Sequence, residues 1–249
     1  VMSHGEGGVH LSAIDEARFG IRTARVSHVT GDSLPSVMRF CRSHDVRLLI
    51  ARCKASDLGV AQAMERVGFL LMDTLVYYAR DLLRSPIPAD IGKVPVRPIQ
   101  PGEEGDVRQV AADSFRGYFG HYHADERLDR AKCDEAYIDW AFRSCVLPDV
   151  ADQVLVANLE GRVSGFATLR LNSADEGEGV LFGVASWAQR RGIYRSFMVQ
   201  GMQWCLSKGA TRMVTSTQIT NIAVQKVWTR LGSEPSHAYY TFHKWFDAS

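Results

Sequence analysis

The chain has 249 residues, 46% of them apolar and 23% charged, and its 29 Lys and Arg against 28 Asp and Glu leave a formal net charge of +1. This composition fits one or two globular domains and excludes disordered, collagen-like and coiled-coil chains. With no basic excess to neutralise a phosphate backbone or an anionic leaflet, neither nucleic acid nor a membrane is expected as partner. The five cysteines, Cys41, Cys53, Cys133, Cys145 and Cys205, are scattered and never spaced as CxxC, so no disulfide framework and no metal site is expected, and a cytoplasmic setting fits. Val1 to Val9 lacks the basic and apolar regions of a leader, and no later stretch has the roughly 18 uncharged residues of a membrane span.

In chain order, Phe19 to Val26 alternates like a strand, Ser33 to Ser43 reads as a helix opened by Ser33 and Pro35, and Val46 to Cys53 is an apolar strand. Asp57 opens a helix that runs through Ala61, Met64 and Val67 and stops at Gly68, before a strand around Thr74 to Tyr78. Three of the eight prolines fall in the thirteen residues from Ser85 to Arg97, and the apolar periodicity stops there, which predicts a domain boundary at 88/89.

Beyond it come strand Val96 to Ile99, helix Glu103 to Ser114, an aromatic and histidine-rich stretch, and helix Asp134 to Ser144. A hairpin of Val154 to Leu159 and Val163 to Leu171 turns at Glu160-Gly161-Arg162. Strand Gly179 to Val184, helix Ile193 to Ser207, strand Met213 to Gln218, helix Ile222 to Leu231 and a strand pair around Ala238 to Trp245 complete an α/β chain. The spacing of Asp57 to Gly68 recurs from Asn221 to Gly232, each helix leading to paired tyrosines, Tyr77-Tyr78 and Tyr239-Tyr240. The pattern points to two related strand-helix-strand units, although any capped helix of this length ending in glycine shares the spacing.

Val184 to Tyr194 joins a strand to a helix through a turn with Gln189, Arg190, Arg191 and Gly192. The first N–H groups of a helix lack intrahelical acceptors and the dipole is positive there, so main chain from Ile193 onward can hold a pyrophosphate. Gly192 permits a close approach or a dihedral that a Cβ would obstruct. This segment resembles the acyl-CoA signature of the GNAT superfamily of N-acyltransferases, with Gln189 and Gly192 matching and Tyr194 standing where the family has Gly or Ala. Asn221 and Gly232 match a second family pattern downstream, in which Trp228 stands at the tyrosine position.

The resemblance covers Val96 to Phe246, and the first ninety residues resemble the truncated N-terminal domain of the dTDP-fucosamine acetyltransferase type. It implies a GNAT fold, a central, mixed but mostly antiparallel sheet flanked by helices, with a smaller GNAT-like half-domain over 1–88 and a catalytic domain over 89–249. It implies acetyl-CoA as co-substrate, held by Val184, Gln189, Arg190, Arg191, Gly192, Ile193, Tyr194 and Asn221, with Asn221 also placed to cap its helix. The strand ending at Val184 is expected to part from Met213 to Gln218 and admit pantetheine. With tryptophan at the usual acid position, Tyr239, Tyr240, His243, His121, Tyr122 and His123 are the candidates for proton transfer, His123, His121 and Tyr240 foremost.

On the acceptor side, Arg116, Arg127 and Arg130 flank the histidine-rich loop and with Tyr118, Phe119 and Tyr122 suit a nucleotide diphosphate and a stacked base or sugar ring. The resemblance adds Tyr137 and Trp140 of a Tyr-x-x-Trp helix, and Asp125, beside the histidines, is the further substrate-side candidate of a nucleotide-linked amino sugar. Another small amine, such as an aminoglycoside, polyamine or amino acid, and a non-catalytic acyl-CoA-binding module are the alternatives. Edge strands of such a sheet offer a route to a homodimer.

Overall fold

The computed structural model describes residues 8–89 and 92–247, so the expectation for the first seven residues and the middle of the proline-rich stretch lie outside the described residues. The chain divides into two compact units, one made of residues up to Val76, Phe119–Cys133 and His237 onward, the other of Tyr77–Tyr118 and Asp134–Ser236. The expected boundary at 88/89 therefore lies twelve residues past the division after Val76. Segments 119–133 and 237–247, placed by sequence in the second domain, fall in the first unit.

The first unit carries β1 (His10–Leu11), α1 (Ala13–Phe19), β2 (Thr23–Val26), α2 (Leu34–Ser43), β3 (Leu48–Lys54), α3 (Leu58–Arg66), the first part of β4 (Leu70–Asp81) and the last part of β10 (Glu234–Trp245). β3 runs parallel to β2, with Thr23 opposite Leu48, and antiparallel to β10, with Cys53 opposite Tyr240. Val26, Val37, Cys41, Leu49, Cys53, Met64, Phe69 and Phe242 form its core. Asp57 caps α3 by accepting the Val60 N–H at 3.1 Å, as its position ahead of the apolar run predicts.

Two sequence expectations change. Phe19 closes a helix that ends at Gly20, whose φ of +70° suits glycine, so the strand begins only at Thr23. The last strand pair is one twelve-residue strand, β10, because Pro235 lies near its start and does not break the extended backbone.

The second unit carries β5 (Val96–Pro98), α4 (Glu104–Ser114), most of α5 (Arg130–Val146), β6 (Gln153–Leu159), β7 (Arg162–Leu171), β8 (Glu176–Val184), a 3-10 turn at Ser186–Ala188, α6 (Ile193–Ser207), β9 (Arg212–Gln218) and α7 (Ile222–Arg230). β5 to β8 pair antiparallel in sequence order, and β9 joins β8 in parallel. At the β6–β7 hairpin Glu160 and Gly161 both have positive φ, +54° and +78°, the backbone that a two-residue turn between twisted strands requires. Ile193, Phe197, Met198, Val199, Met202 and Cys205 bury one face of α6, which packs on β7 and β8. The result is mixed α/β with mostly antiparallel pairing, as expected.

Candidate active site

Within the second unit β8 and β9 pair over Glu176–Gly179 and Arg212–Thr215, and no pair joins them beyond. β8 continues to Val184 and β9 to Gln218, so the two strands part toward their C-terminal ends. A parallel pair that stops while both strands run on leaves ladder N–H and C=O groups of each arm facing the gap. An extended amide-bearing ligand can meet such groups with main-chain hydrogen bonds.

β8 leads directly into the basic turn. The Ser186 N–H donates to the Asp113 carboxylate of α4 at 2.6 Å, which pins the start of the 3-10 turn. That bond is the main reason the Asp113 carboxyl is held below the usual carboxylate range, with the nearby Arg116 guanidinium helping. Arg190 has φ +63° and Gly192 φ +82°, two left-handed residues immediately ahead of α6. A Cβ built on Gly192 would meet nothing within 4 Å, so the space above the turn is open. The N–H groups of Ile193, Tyr194 and Arg195 lie in the first turn, where no intrahelical acceptor exists, and Ser196 is the first to bond back, to the Gly192 carbonyl at 3.0 Å. Open space, left-handed backbone, orphan donors and two arginines fit a pyrophosphate.

The side chains around the turn refine this picture. Gln189 Nε2 donates back to the Val184 carbonyl at 3.4 Å. Trp187 is exposed, with the Arg162 guanidinium 5.0 Å from its ring centre. Tyr194 lies tilted on Phe182 of β8 at 5.5 Å, and its phenol oxygen accepts the indole N–H of buried Trp228 at 3.0 Å. Asn221 occupies the N-cap position of α7 without capping it. Its Nδ2 donates to Thr217 Oγ1 at 3.0 Å, so its side chain ties the helix start to β9 and does not satisfy a helix N–H.

Phe115, Tyr118 and Tyr137 form an aromatic cluster in the same unit, with centroids 4.7 to 5.4 Å apart, and the Tyr118 hydroxyl donates to Gln218 at the free end of β9. Trp140 is half-buried one turn along α5 from Tyr137. Arg116 is highly exposed and stands 3.7 Å from Asp113.

The histidine-rich segment belongs to the first unit, and it is buried. Asp125 Oδ2 accepts from His243 Nδ1 at 2.6 Å and from Trp245 Nε1 at 2.9 Å, and His243 Nε2 lies 3.0 Å from His121 Nδ1. The Asp125 carboxylate takes the hydrogen on His243 Nδ1, and His243 Nε2 and His121 Nδ1 share a single hydrogen between them. Burial, then the His243, Arg25, Arg52 and His123 charges, hold the His121 pKa well below its ordinary value. His123 Nδ1 accepts the Gly120 N–H at 3.2 Å. Tyr122 donates to Asp15 at 2.6 Å and contacts Arg25. Arg127 pairs with Asp247 at 2.6 Å and lies 3.9 Å over the Trp245 ring, and Arg130 donates to the His123 carbonyl at 2.5 Å. Tyr240 is half-buried on β10 against the core. Asp15, Arg25 and Asp113, which organise these groups, were not singled out from sequence, because their partners are distant in the chain.

Residues 107–233 match the Acetyltransferase (GNAT) family, about half of the chain. The chain belongs to this family. The GNAT chain is 23% identical over 202 residues, 79% of its length, to the spore coat polysaccharide biosynthesis protein SpsD of Bacillus subtilis, and spans 66% of that relative. Among solved structures it resembles a GCN5-related N-acetyltransferase from Sphaerobacter thermophilus, with TM-score 0.63, 16% identity and 95% and 76% of the two chains covered. It also resembles a tandem GNAT protein from the clavulanic acid biosynthesis pathway, with TM-score 0.65, 16% identity and coverage of 92% and 77%. These two likenesses show the GNAT fold. No helix among the described residues is long and apolar enough to cross a membrane, and none of their His, Cys, Asp and Glu side chains cluster as a metal site.

Proposed function

We propose that this GNAT protein is an acyl-CoA-dependent N-acyltransferase that moves an acetyl group to the amine of a nucleotide-linked amino-deoxy sugar by direct attack on the thioester. The parting of β8 and β9 just ahead of an open, left-handed, arginine-bearing turn carries the acyl-CoA half of this reading. Val184, Gln189 to Tyr194 and Asn221 are its acyl-CoA residues, and residues 89–249 its catalytic part, with 1–88 a truncated copy. His123, His121 and Tyr240 are its proton-transfer candidates, and Arg116 and Trp140 its acceptor-side candidates. The sugar half is supported by the polysaccharide-biosynthesis name of the relative.

A second reading, acetylation of another small amine, is favoured by the charges. Arg127 and Arg130, expected to hold a diphosphate, instead meet Asp247 and the His123 carbonyl, and Tyr122 and Asp125 are tied into buried contacts. The experiment is thiol release from acetyl-CoA against dTDP- and UDP-linked 3-amino and 4-amino sugars, aminoglycosides and polyamines. Release with one nucleotide sugar alone establishes the first reading and release only with free amines the second. Acetyl-CoA binding without release in any arm leaves a binding module.

A further inference from the structure

A departing thiolate needs a proton, and the second unit offers several phenols. Tyr78 donates its hydroxyl hydrogen to Gln225 Oε1 at 3.3 Å, and Tyr118 donates to Gln218. Tyr194 is different: its oxygen is an acceptor, fixed by the Trp228 indole at 3.0 Å, and its own hydrogen has no acceptor among the described residues. An indole can only donate, so the direction of this bond is not open to choice. A half-buried hydroxyl whose oxygen is held while its hydrogen lacks an acceptor is arranged to donate to something that arrives.

Its position says what arrives. The Tyr194 ring rests on Phe182, which lies on β8 past the last β8–β9 pair, and its oxygen meets Trp228 on α7, the helix that follows β9. The phenol thus touches the free arm of one parted strand and the helix leaving the other. Tyr78 packs on the Trp228 ring at 5.3 Å and holds the indole in place.

On the acyl-transfer reading, we infer that Tyr194 is the proton donor to the leaving thiolate and Trp228 the residue that positions it. The acceptor nitrogen forms a bond to the acetyl carbonyl carbon, the carbon–sulfur bond breaks with its electron pair on sulfur, and sulfur takes the Tyr194 phenol proton. The surplus proton on the new amide nitrogen leaves to water, and the Tyr194 phenolate recovers a proton from solvent. Burial raises the Tyr194 pKa and keeps the hydroxyl protonated at neutral pH, while the Trp228 N–H bond works the other way and eases release.

The test compares the full-length wild type, Tyr194→Phe and Trp228→Phe with the best amine of the panel, measuring kcat by thiol release and acetyl-CoA affinity by calorimetry. Tyr194→Phe is expected to lower kcat on the order of 100-fold with affinity within about twofold, the size of a lost general acid. Trp228→Phe is expected to lower kcat less, again without loss of affinity. A Tyr194→Phe protein with wild-type kcat, or one whose loss lies wholly in acetyl-CoA affinity, overturns the assignment and leaves acyl transfer standing. A wild type that releases no thiol with any amine overturns acyl transfer, and the Tyr194 role falls with it.

Discussion

The carboxylate of Asp113, at the end of α4, accepts the backbone N–H of Ser186 at 2.6 Å, so a helix from the front of the GNAT unit holds the turn that opens α6. Asp113→Ala should leave the fold intact and weaken acetyl-CoA binding severalfold, because the turn loses its fixed start. The folded pKa is depressed, so the bond is fully present above the ordinary carboxylate value and lost as pH falls through the depressed one. Calorimetric affinity should therefore be insensitive to this group between pH 5 and 8, and an Asp113→Ala protein that binds as wild type would separate the turn from the cofactor.

Gly192 permits a cleaner test of the same turn. Its φ of +82° makes any side chain strained, whereas the space around a Cβ is open. Gly192→Ala should then cost about 1 kcal/mol of stability by strain alone. Gly192→Asp adds a carboxylate beside a bound pyrophosphate and should weaken acetyl-CoA by a further tenfold or so. Equal affinities of the alanine and aspartate variants would remove Val184 to Tyr194 from the anion site.

Periodicity and punctuation exposed most of this fold in the sequence. The Ile193–Ser207 helix, the hairpin and the Asp57 cap are local features, set by residues a few positions apart, and they appear as expected. The basic turn was legible for the same reason. Pairings across the chain were not: Asp15 with Tyr122 spans 107 positions and Asp125 with His243 spans 118, and neither motif nor period marks them. The aromatic and histidine-rich stretch is buried at His121 and His123, and Asp125, His243 and Trp245 supply partners that make burial of His121 tolerable. The Asn221 cap failed locally, its amide being drawn to Thr217.

Arg80 is buried and pairs with no carboxylate among the described residues. Its guanidinium donates to the Leu231 carbonyl at the end of α7, to Ser85 and to the Pro86 carbonyl at 2.9 Å, joining β4 to the linker that follows it. Arg80→Leu should destabilise by about 1–3 kcal/mol, since it strips the donor from the buried Leu231 carbonyl and from part-buried acceptors at Ser85 and Pro86. Gly232→Ala should act through the same group, because φ is +82° and the new Cβ would fall on the Arg80 Nη1. Urea unfolding of the two single variants and the double checks this: strict additivity would show that they act independently.

The Asp125–His243–His121 chain predicts a pH-dependent stability. The His121 pKa is depressed by burial, so its contribution is fully present above the ordinary value near 6.5 and is lost as pH falls from there toward the depressed one. Urea midpoints of wild type should fall between pH 7 and 5, and those of His121→Phe should fall less. In turnover, His123→Ala is expected to lower kcat more than it raises the KM for acetyl-CoA; unchanged activity across the pH range would eliminate His123 as a proton carrier.

Asp15 sets the acid limit of the first unit. Its buried carboxylate accepts from Ser12, Arg25 and Tyr122, at 2.5 Å from both Ser12 and Arg25 and 2.6 Å from Tyr122. Burial alone would raise its pKa; the Arg25 bond and charge, then the Ser12 and Tyr122 bonds, outweigh it and bring the value down to about 2. A depressed folded pKa gives stability that is complete above the ordinary carboxylate value and disappears as pH falls from about 4 through about 2, roughly 2 kcal/mol in all. Asp15→Asn should lose stability at pH 7, since it removes the carboxylate that meets the Arg25 charge, and should show a flatter acid limb than wild type. Urea midpoints at pH 7 measure the first and near-ultraviolet circular dichroism from pH 5 to 2 the second, and superimposable acid limbs would show that another carboxylate governs the transition.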